Sequence, residues 1–326
     1  MTEKKIDFKV DYSKLNIISE HNTKEPRYPM VLSVPHSGRV FPQEFLDRVD
    51  VSLNELRSNE DPFVDELVME ASNLGIPMVA LNIGRAFIDV NRDAIEIDPA
   101  MFYNYPEQEM MIGNKRCRVG LGLFHRITAG RKNIYDGLLN YHEAEERIQN
   151  VYNPYHAHLQ KLIDRTAKKF GFCLVLDCHS MPSKICNIMQ DNRQIEFCLG
   201  TLFEQSCPSE MYEFFMQHLK QKYNVSLRNL ASGLHDRFAR MQRGNGFSVG
   251  VQLAADLRQP LKRRRLIFHF WQAVQEALQV KAQVLVNAVA LERRFRHGAG
   301  DQAGKIETSK ELFFVRLLGK EPFKLL

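Results

Sequence analysis

Short apolar runs separated by longer amphipathic stretches make up most of this chain. The runs are rich in Val, Ile, Leu, Phe and Cys, which is typical of strands buried on both faces. We predict strands at 30–35, 77–83, 172–177, 195–200 and 248–254, and helices at 53–74, 141–170, 208–222 and, as one helix or a pair, 264–296. Because strands alternate with helices, the pattern predicts a three-layer αβα fold around a mostly parallel or mixed sheet.

The same pattern predicts one catalytic domain. Residues 1–28 are a polar lead-in, residues 29–296 contain no linker, and residues 297–326 form a C-terminal tail that we expect to pack on the domain. The region 104–123 has few strand or helix signals, and loops of this length in a compact domain are often active-site covers.

Composition narrows the class of protein. The 326 residues are 44% hydrophobic and 25% charged, as in ordinary folded proteins. The six cysteines form no CxxC pair, the first residues show no secretory signal, and no apolar run is long enough to span a membrane. We therefore expect a cytoplasmic protein with no membrane partner. The net charge of +5 includes one basic run at 262–265, but no nucleic-acid-binding motif accompanies it, so no nucleic-acid partner is predicted.

Two histidines follow predicted strands in matching contexts. His36 lies in Pro-His-Ser-Gly after the strand at 30–35, and His179 lies in Asp-Cys-His-Ser after the strand at 172–177. Ligands of open α/β sheets bind at the carboxyl ends of the strands. Two imidazoles at this edge could share one metal ion. Neutral imidazole together with a carboxylate suits zinc, and iron or manganese is the alternative. The alternative is that each histidine is a hydrogen-bonded core residue.

A third ligand would come from the acidic segment at 60–65. Glu60, Asp61 and Asp65 are all available there, and the residues alone do not choose among them. Asp61 precedes Pro62 at the start of a helical stretch, so it could equally be a helix N-cap.

Arginines near the same sheet edge form a second group. Arg85, Asn91 and Arg92 follow the strand at 77–83, and guanidinium forks beside an amide make a good carboxylate clamp. The alternative is a surface salt-bridge cluster with Asp89 and Asp93. Arg126 is a further candidate for binding substrate.

Five segments of the chain, in this order, resemble the N-formylglutamate amidohydrolase family from about residue 29 to 260. They are Val34–Gly38, Asp61–Asp65, Arg85–Arg92, Tyr152–His156 and Asp177–Pro182. The resemblance implies a fold like that of zinc carboxypeptidases and aspartoacylase. It also implies one Zn²⁺ held by His36, Asp61 and His179, and hydrolysis of the amide of an N-formyl or N-acyl acidic amino acid such as N-formylglutamate. By the same resemblance, Arg85 would stabilise the oxyanion, and Asn91 and Arg92 would bind the substrate carboxylate.

The sequence departs from the family at the expected general base. The family usually has a glutamate after Gln-Leu in a late strand, whereas this chain reads Gln252, Leu253, Ala254. Asp256 lies two residues later, which is the same face of an extended strand, so Asp256 is the expected substitute. The alternative is a catalytically impaired relative that acts as a binding or regulatory protein.

Overall fold

A mixed β-sheet organises the part of the chain that the computed structural model describes, which is residues 4–22, 24–106, 115–171, 173–180, 197–200, 216–217, 225–228 and 246–253. The strands of this sheet are β2 (Ile18–His21), β3 (Met30–Val34), β4 (Met78–Leu81), β6 (Cys173–Ser180), β7 (Phe197–Gly200), β8 (Val225–Arg228) and β9 (Gly246–Leu253). Within the described ranges these seven strands lie in the order β2-β4-β3-β6-β9-β7-β8. A separate parallel pair joins β1 (Lys5–Ile6) and β5 (Leu138–Leu139).

The four central strands are parallel to one another. β3 pairs in parallel with β4 and β6, and β6 pairs in parallel with β9. β2 runs antiparallel to β4 at one side, and β7 runs antiparallel to β9 at the other. The carboxyl ends of β3, β4, β6 and β9 therefore meet at one edge, where ligands of such sheets bind.

Helices cover both faces of the sheet. The helices are α1 (Gln43–Leu46), α2 (Leu53–Leu56), α3 (Val64–Asn73), α4 (Lys115–Arg118), α5 (Tyr141–Arg147) and α6 (Asn153–Phe170). The connections β3-α3-β4 and β4-α6-β6 run in opposite directions along the sheet. Because such crossovers are right-handed, α3 and α6 lie on opposite faces. The predicted three-layer α/β fold is confirmed.

The core beneath α6 explains why this helix holds its place. Val31, Val79 and Val175 of the sheet form one buried cluster with Leu159 and Leu162 of α6. Alternate strand residues point the other way, so Leu32 and Leu176, which are also fully buried, face the layer that contains α3.

The predicted helix at 53–74 is interrupted, and the interruption is informative. α2 ends at Leu56 and is followed by a 3-10 turn (Arg57–Asn59), and α3 begins only at Val64. Phe63 has a φ of 64°, a left-handed conformation that side chains rarely adopt. The segment at 60–63 is therefore a loop, and Asp61 is not the N-cap of α3.

Several sequence predictions differ from the structure or lie outside its described residues. The polar lead-in contains β2, an edge strand of the main sheet. The helix at 141–170 is continuous except for one π-helical turn (Ile148–Tyr152). Residues 107–114, most of 208–222, all of 264–296 and the tail at 297–326 lie outside the described ranges. The domain boundaries stay a prediction. In the described part of the chain, no helix is long and apolar enough to cross a membrane.

Candidate metal centre

Three predicted ligands meet at the carboxyl edge of the sheet. His36 lies two residues beyond the end of β3, and His179 is the penultimate residue of the neighbouring strand β6. Asp61 comes from the loop before α3, and its backbone N–H donates to the carbonyl oxygen of His36 at 2.9 Å. All three residues are buried. The backbone hydrogen bond explains why the loop at 60–63 replaces a helical turn.

The donor atoms of this triad converge on one point. The Nδ1 atoms of His36 and His179 are 3.1 Å apart, and Asp61 Oδ2 is 3.3 Å from the first and 2.9 Å from the second. Donors bound to a tetrahedral zinc ion lie roughly 3.3 Å from one another. The spacing of the three atoms therefore fits a single zinc ion.

Two carboxylates orient the imidazoles. His36 Nε2 lies 2.7 Å from Asp89 Oδ1, and His179 Nε2 lies 2.8 Å from Asp177 Oδ2. A carboxylate accepts hydrogen bonds, so each Nε2 carries a proton, and when the ring is neutral the lone pair of Nδ1 faces the point where the three residues meet. Metal-binding histidines commonly donate their other ring N–H to a carboxylate in this way.

Asp89 connects most of the predicted site residues. Its Oδ1 accepts from His36 and from the backbone N–H of Asn91 at 3.0 Å. Its Oδ2 accepts from Arg85 Nε at 2.9 Å and from His125 Nε2 at 3.3 Å. Arg92 Nε is 3.5 Å from the same oxygen. Asp89 has no exposed surface, so a surface salt-bridge cluster is the wrong interpretation of this stretch.

The electrostatics favour a cation between the three donor atoms. Burial alone would raise the pKa of Asp61, but when His179 and His36 carry a second proton on Nδ1, their hydrogen bonds hold the pKa of Asp61 below its usual range. Burial opposes a charge on His179, yet the Asp177 and Asp61 carboxylates raise its pKa to about 10. Two carboxylates that stabilise positive charge on a buried imidazole would also stabilise a metal ion bound to it.

The other acidic candidates point away from this triad. Glu60 pairs with Arg57, whose Nε lies 3.2 Å from Glu60 Oε2. Asp65 accepts a hydrogen bond from Arg39 Nη2 at 2.9 Å. Of the three acidic residues that the sequence left open, Asp61 alone groups with the two histidines in the described part of the chain.

The predicted substrate-binding residues separate into two groups. Arg85 and Arg92 both contact Asp89, as described above, and Arg92 Nε also donates to the Leu121 carbonyl oxygen at 3.2 Å. Asn91 Nδ2 donates to Asp177 Oδ2 at 3.0 Å and lies 2.9 Å from His179 Nε2, so this amide supports the imidazole of His179.

Arg126 contacts neither group. Its Nη1 is 3.4 Å from Asp98 Oδ2, its Nη2 donates to the Arg118 carbonyl oxygen, and it lines a separate cavity of about 660 Å³. Asp256 and Ala254 lie outside the described residues.

The sequence analysis did not assign a position beside the triad to Asp89, Asp177 or His125. His125 Nδ1 accepts from Asn59 Nδ2 at 2.8 Å, which leaves its Nε2–H for Asp89. A signal was present, because Asp89 stands between Ile88 and Val90 in a largely apolar segment. A charged residue so placed is buried and must be paired.

Solved structures share this fold. The crystal structure of N-formylglutamate amidohydrolase from Ralstonia eutropha has 25% sequence identity and a TM-score of 0.71, covering 82% of this chain and 99% of that chain. A protein from Agrobacterium tumefaciens is 16% identical with a TM-score of 0.56, covering 83% of this chain and 98% of that one, which shows a shared fold.

Sequence comparison gives the family. N-formylglutamate deformylases of Pseudomonas putida and Pseudomonas aeruginosa are 27% and 28% identical over 191 and 192 residues, or 57% and 56% of this chain. The chain spans 64% and 63% of the length of these relatives. The model of the N-formylglutamate amidohydrolase family matches residues 28–241, more than half of the chain. The chain therefore belongs to the N-formylglutamate amidohydrolase family.

Proposed function

We propose that this protein is a zinc-dependent amidohydrolase that removes the formyl group of N-formylglutamate or a closely related N-acyl acidic amino acid. The observation that carries the proposal is the convergence of His36 Nδ1, His179 Nδ1 and Asp61 Oδ2, with each Nε2–H committed to a carboxylate. Three lone pairs that face one point in a buried site suit a single metal ion. The names of the relatives supply the substrate class.

The direct ligands would be His36, His179 and Asp61. Bound there, zinc would lower the pKa of a coordinated water and polarise the scissile carbonyl. Asp89 and Asp177 hold the two imidazoles in the tautomer that this binding needs. Asn91 supports Asp177, so we assign it to positioning the second histidine.

We assign Arg85 to substrate binding. Its Nε is bound to Asp89, which holds the guanidinium beside the triad, while 19% of the side chain stays accessible. The remaining N–H groups of the fork suit a developing oxyanion or a substrate carboxylate. Arg92 faces the same Asp89 and would add positive charge for an acidic substrate. For Arg126, the contacts with Asp98 and Arg118 give no support to a direct role in substrate binding.

The general base would come shortly after β9 in the sequence. Gln252 of β9 is the register partner of His179, so the chain leaves β9 from a position beside the triad. Asp256 stays our choice for the proton acceptor, which would take a proton from the attacking water and return it to the leaving amine. A relative that binds the substrate without turnover is the second candidate, because Ala254 stands where the family has a glutamate.

The test is release of formate from N-formylglutamate by zinc-loaded protein, beside a His36→Ala control. The proposal predicts turnover that falls by about a thousandfold or more in the control, since a nucleophile-generating metal is lost. Tight binding of N-formylglutamate without formate release would favour the second candidate. Equal formate release by both proteins would refute the metal-dependent mechanism.

A further inference from the structure

The long helix formed by α5, the π-helical turn and α6 holds the loop that carries Arg85, Asp89 and Asn91. We call residues 82–92 the site loop. Three side chains of the helix donate to carbonyl oxygens of this loop: Arg147 Nη1 to Phe87 at 2.8 Å, Tyr152 Oη to Arg92 at 3.0 Å, and His156 Nε2 to Val90 at 2.9 Å. The carbonyls lie on both sides of Asp89 in the sequence.

The donors are buried, which makes these contacts costly to lose. Arg147 is fully buried; its Nε donates to Glu143, and its guanidinium lies 4.1 Å from the ring centroid of Phe87. Tyr152 and His156 are 3% and 6% exposed. A buried carbonyl that loses its donor has no water to replace it.

The π-helical turn brings the three donors onto one face. In a regular α-helix, residues five apart lie about 140° apart around the axis, so Arg147 and Tyr152 would face different neighbours. The hydrogen bonds of a π-helix join residues five apart, and the π-helical turn at Ile148–Tyr152 begins directly after Arg147 and ends at Tyr152. Tyr152 and His156 are then four apart in sequence, roughly 40° around the axis.

We propose that Arg147, Tyr152 and His156 are positioning residues, and that the π-helical turn exists to aim them at the site loop. They fix the loop backbone so that Asp89 meets His36 and Asn91 meets Asp177. They act through the carboxylates that orient the imidazoles. This inference rests on the proposed metal-dependent function.

The experiment measures zinc affinity, by competition with a chromogenic chelator, on the full-length chain. His156→Leu removes the N–H that donates to the Val90 carbonyl oxygen. His156→Gln also removes the imidazole ring, but its side-chain amide keeps an N–H at nearly the same distance from the backbone. Tyr152→Phe removes one hydroxyl, and Tyr103→Phe, whose hydroxyl donates to the exposed Asp7, is the matched control. Thermal unfolding of each variant checks that the protein is folded.

We expect Tyr152→Phe and His156→Leu each to weaken zinc binding by about tenfold, the scale of a lost outer-shell contact. His156→Gln and Tyr103→Phe should stay within about threefold of the unmodified protein, on the same scale. Lower unfolding temperatures with unchanged zinc affinity in Tyr152→Phe and His156→Leu would overturn the inference and leave only a structural role.

The outcomes separate this inference from the proposed function. Zinc binding without formate release would refute the activity and leave the comparison of zinc affinities valid. Zinc binding that is equal in all variants would refute the positioning role alone. A chain that binds no zinc would refute both.

Discussion

Replacing Asp89 by asparagine should weaken metal binding strongly, although Asp89 is not itself one of the three clustered residues. The change keeps the size of the side chain and removes one acceptor oxygen. Asp89 Oδ1 faces the N–H groups of His36 and Asn91, while Oδ2 faces those of Arg85 and His125. Whichever way an asparagine amide turns, its NH₂ group meets two donors. His125 cannot escape by changing tautomer, because its Nδ1 already accepts from an asparagine amide.

The magnitude follows from two contributions. Loss of an outer-shell partner typically costs about 10- to 100-fold in metal affinity. Because donors would then face donors at position 89, we expect the upper end, about 100-fold or about 2.8 kcal/mol. Removing one partner of a buried ion pair costs about 3–5 kcal/mol of folding free energy. Arg85 and Arg92 stay 19% and 13% exposed, so we expect about 3 kcal/mol here.

The assay is chelator competition for zinc affinity, with urea unfolding for stability. Asp65→Asn is the matched control, since it makes the same substitution in a nearby carboxylate that pairs with Arg39. Asp65→Asn should leave zinc affinity within about threefold of the unmodified protein, well inside the loss expected for an outer-shell partner. Equal zinc affinity for Asp89→Asn and Asp65→Asn would refute the reasoning that Asp89 orients His36.

Two further pairs of substitutions test the packing beside His36 and the identity of the general base. Gly38→Ala would place a Cβ 2.3 Å from the backbone carbonyl oxygen of Ile83, in the site loop. We therefore expect the free energy of unfolding, measured in urea, to fall by roughly 2 kcal/mol. Gly130→Ala, whose Cβ would meet nothing closer than 3.6 Å, should be nearly neutral, and equal stability of both variants would contradict this packing. Asp256→Asn should lower formate release by about 100-fold, the scale of a general base, whereas a gain of that size in Ala254→Glu would favour the second candidate, a relative without its base. If neither variant changes the rate, the base lies elsewhere.

The central strands were predictable because burial on both faces leaves an unbroken apolar run. β3, β4 and β6 all lie within predicted strands or extend them by a few residues. β2 was missed, since its sequence Ile-Ser-Glu-His mixes apolar and polar positions, as an edge strand can. Local patterns therefore indicate the centre of such a sheet better than its edges.

The grouping of His36, Asp61 and His179 was predictable from the sequence, and the residues that support them were not. His36 and His179 stand out because each ends a buried strand, whereas the choice of Asp61 depends on a backbone hydrogen bond from another part of the chain. The helix break at 60–63 has the same long-range cause. Asp89 contacts residues up to 53 positions away, so its role follows from the tertiary fold and no local pattern states it.

The most direct test of the account is the zinc content of untagged protein purified without chelator, measured by elemental analysis beside His36→Ala. We expect about one zinc ion per chain, the number that one His-His-Asp triad can hold. We expect the His36→Ala variant to lose that ion. No bound metal in the unmodified protein, even after zinc is added back, would contradict the metal centre and with it the proposed hydrolysis.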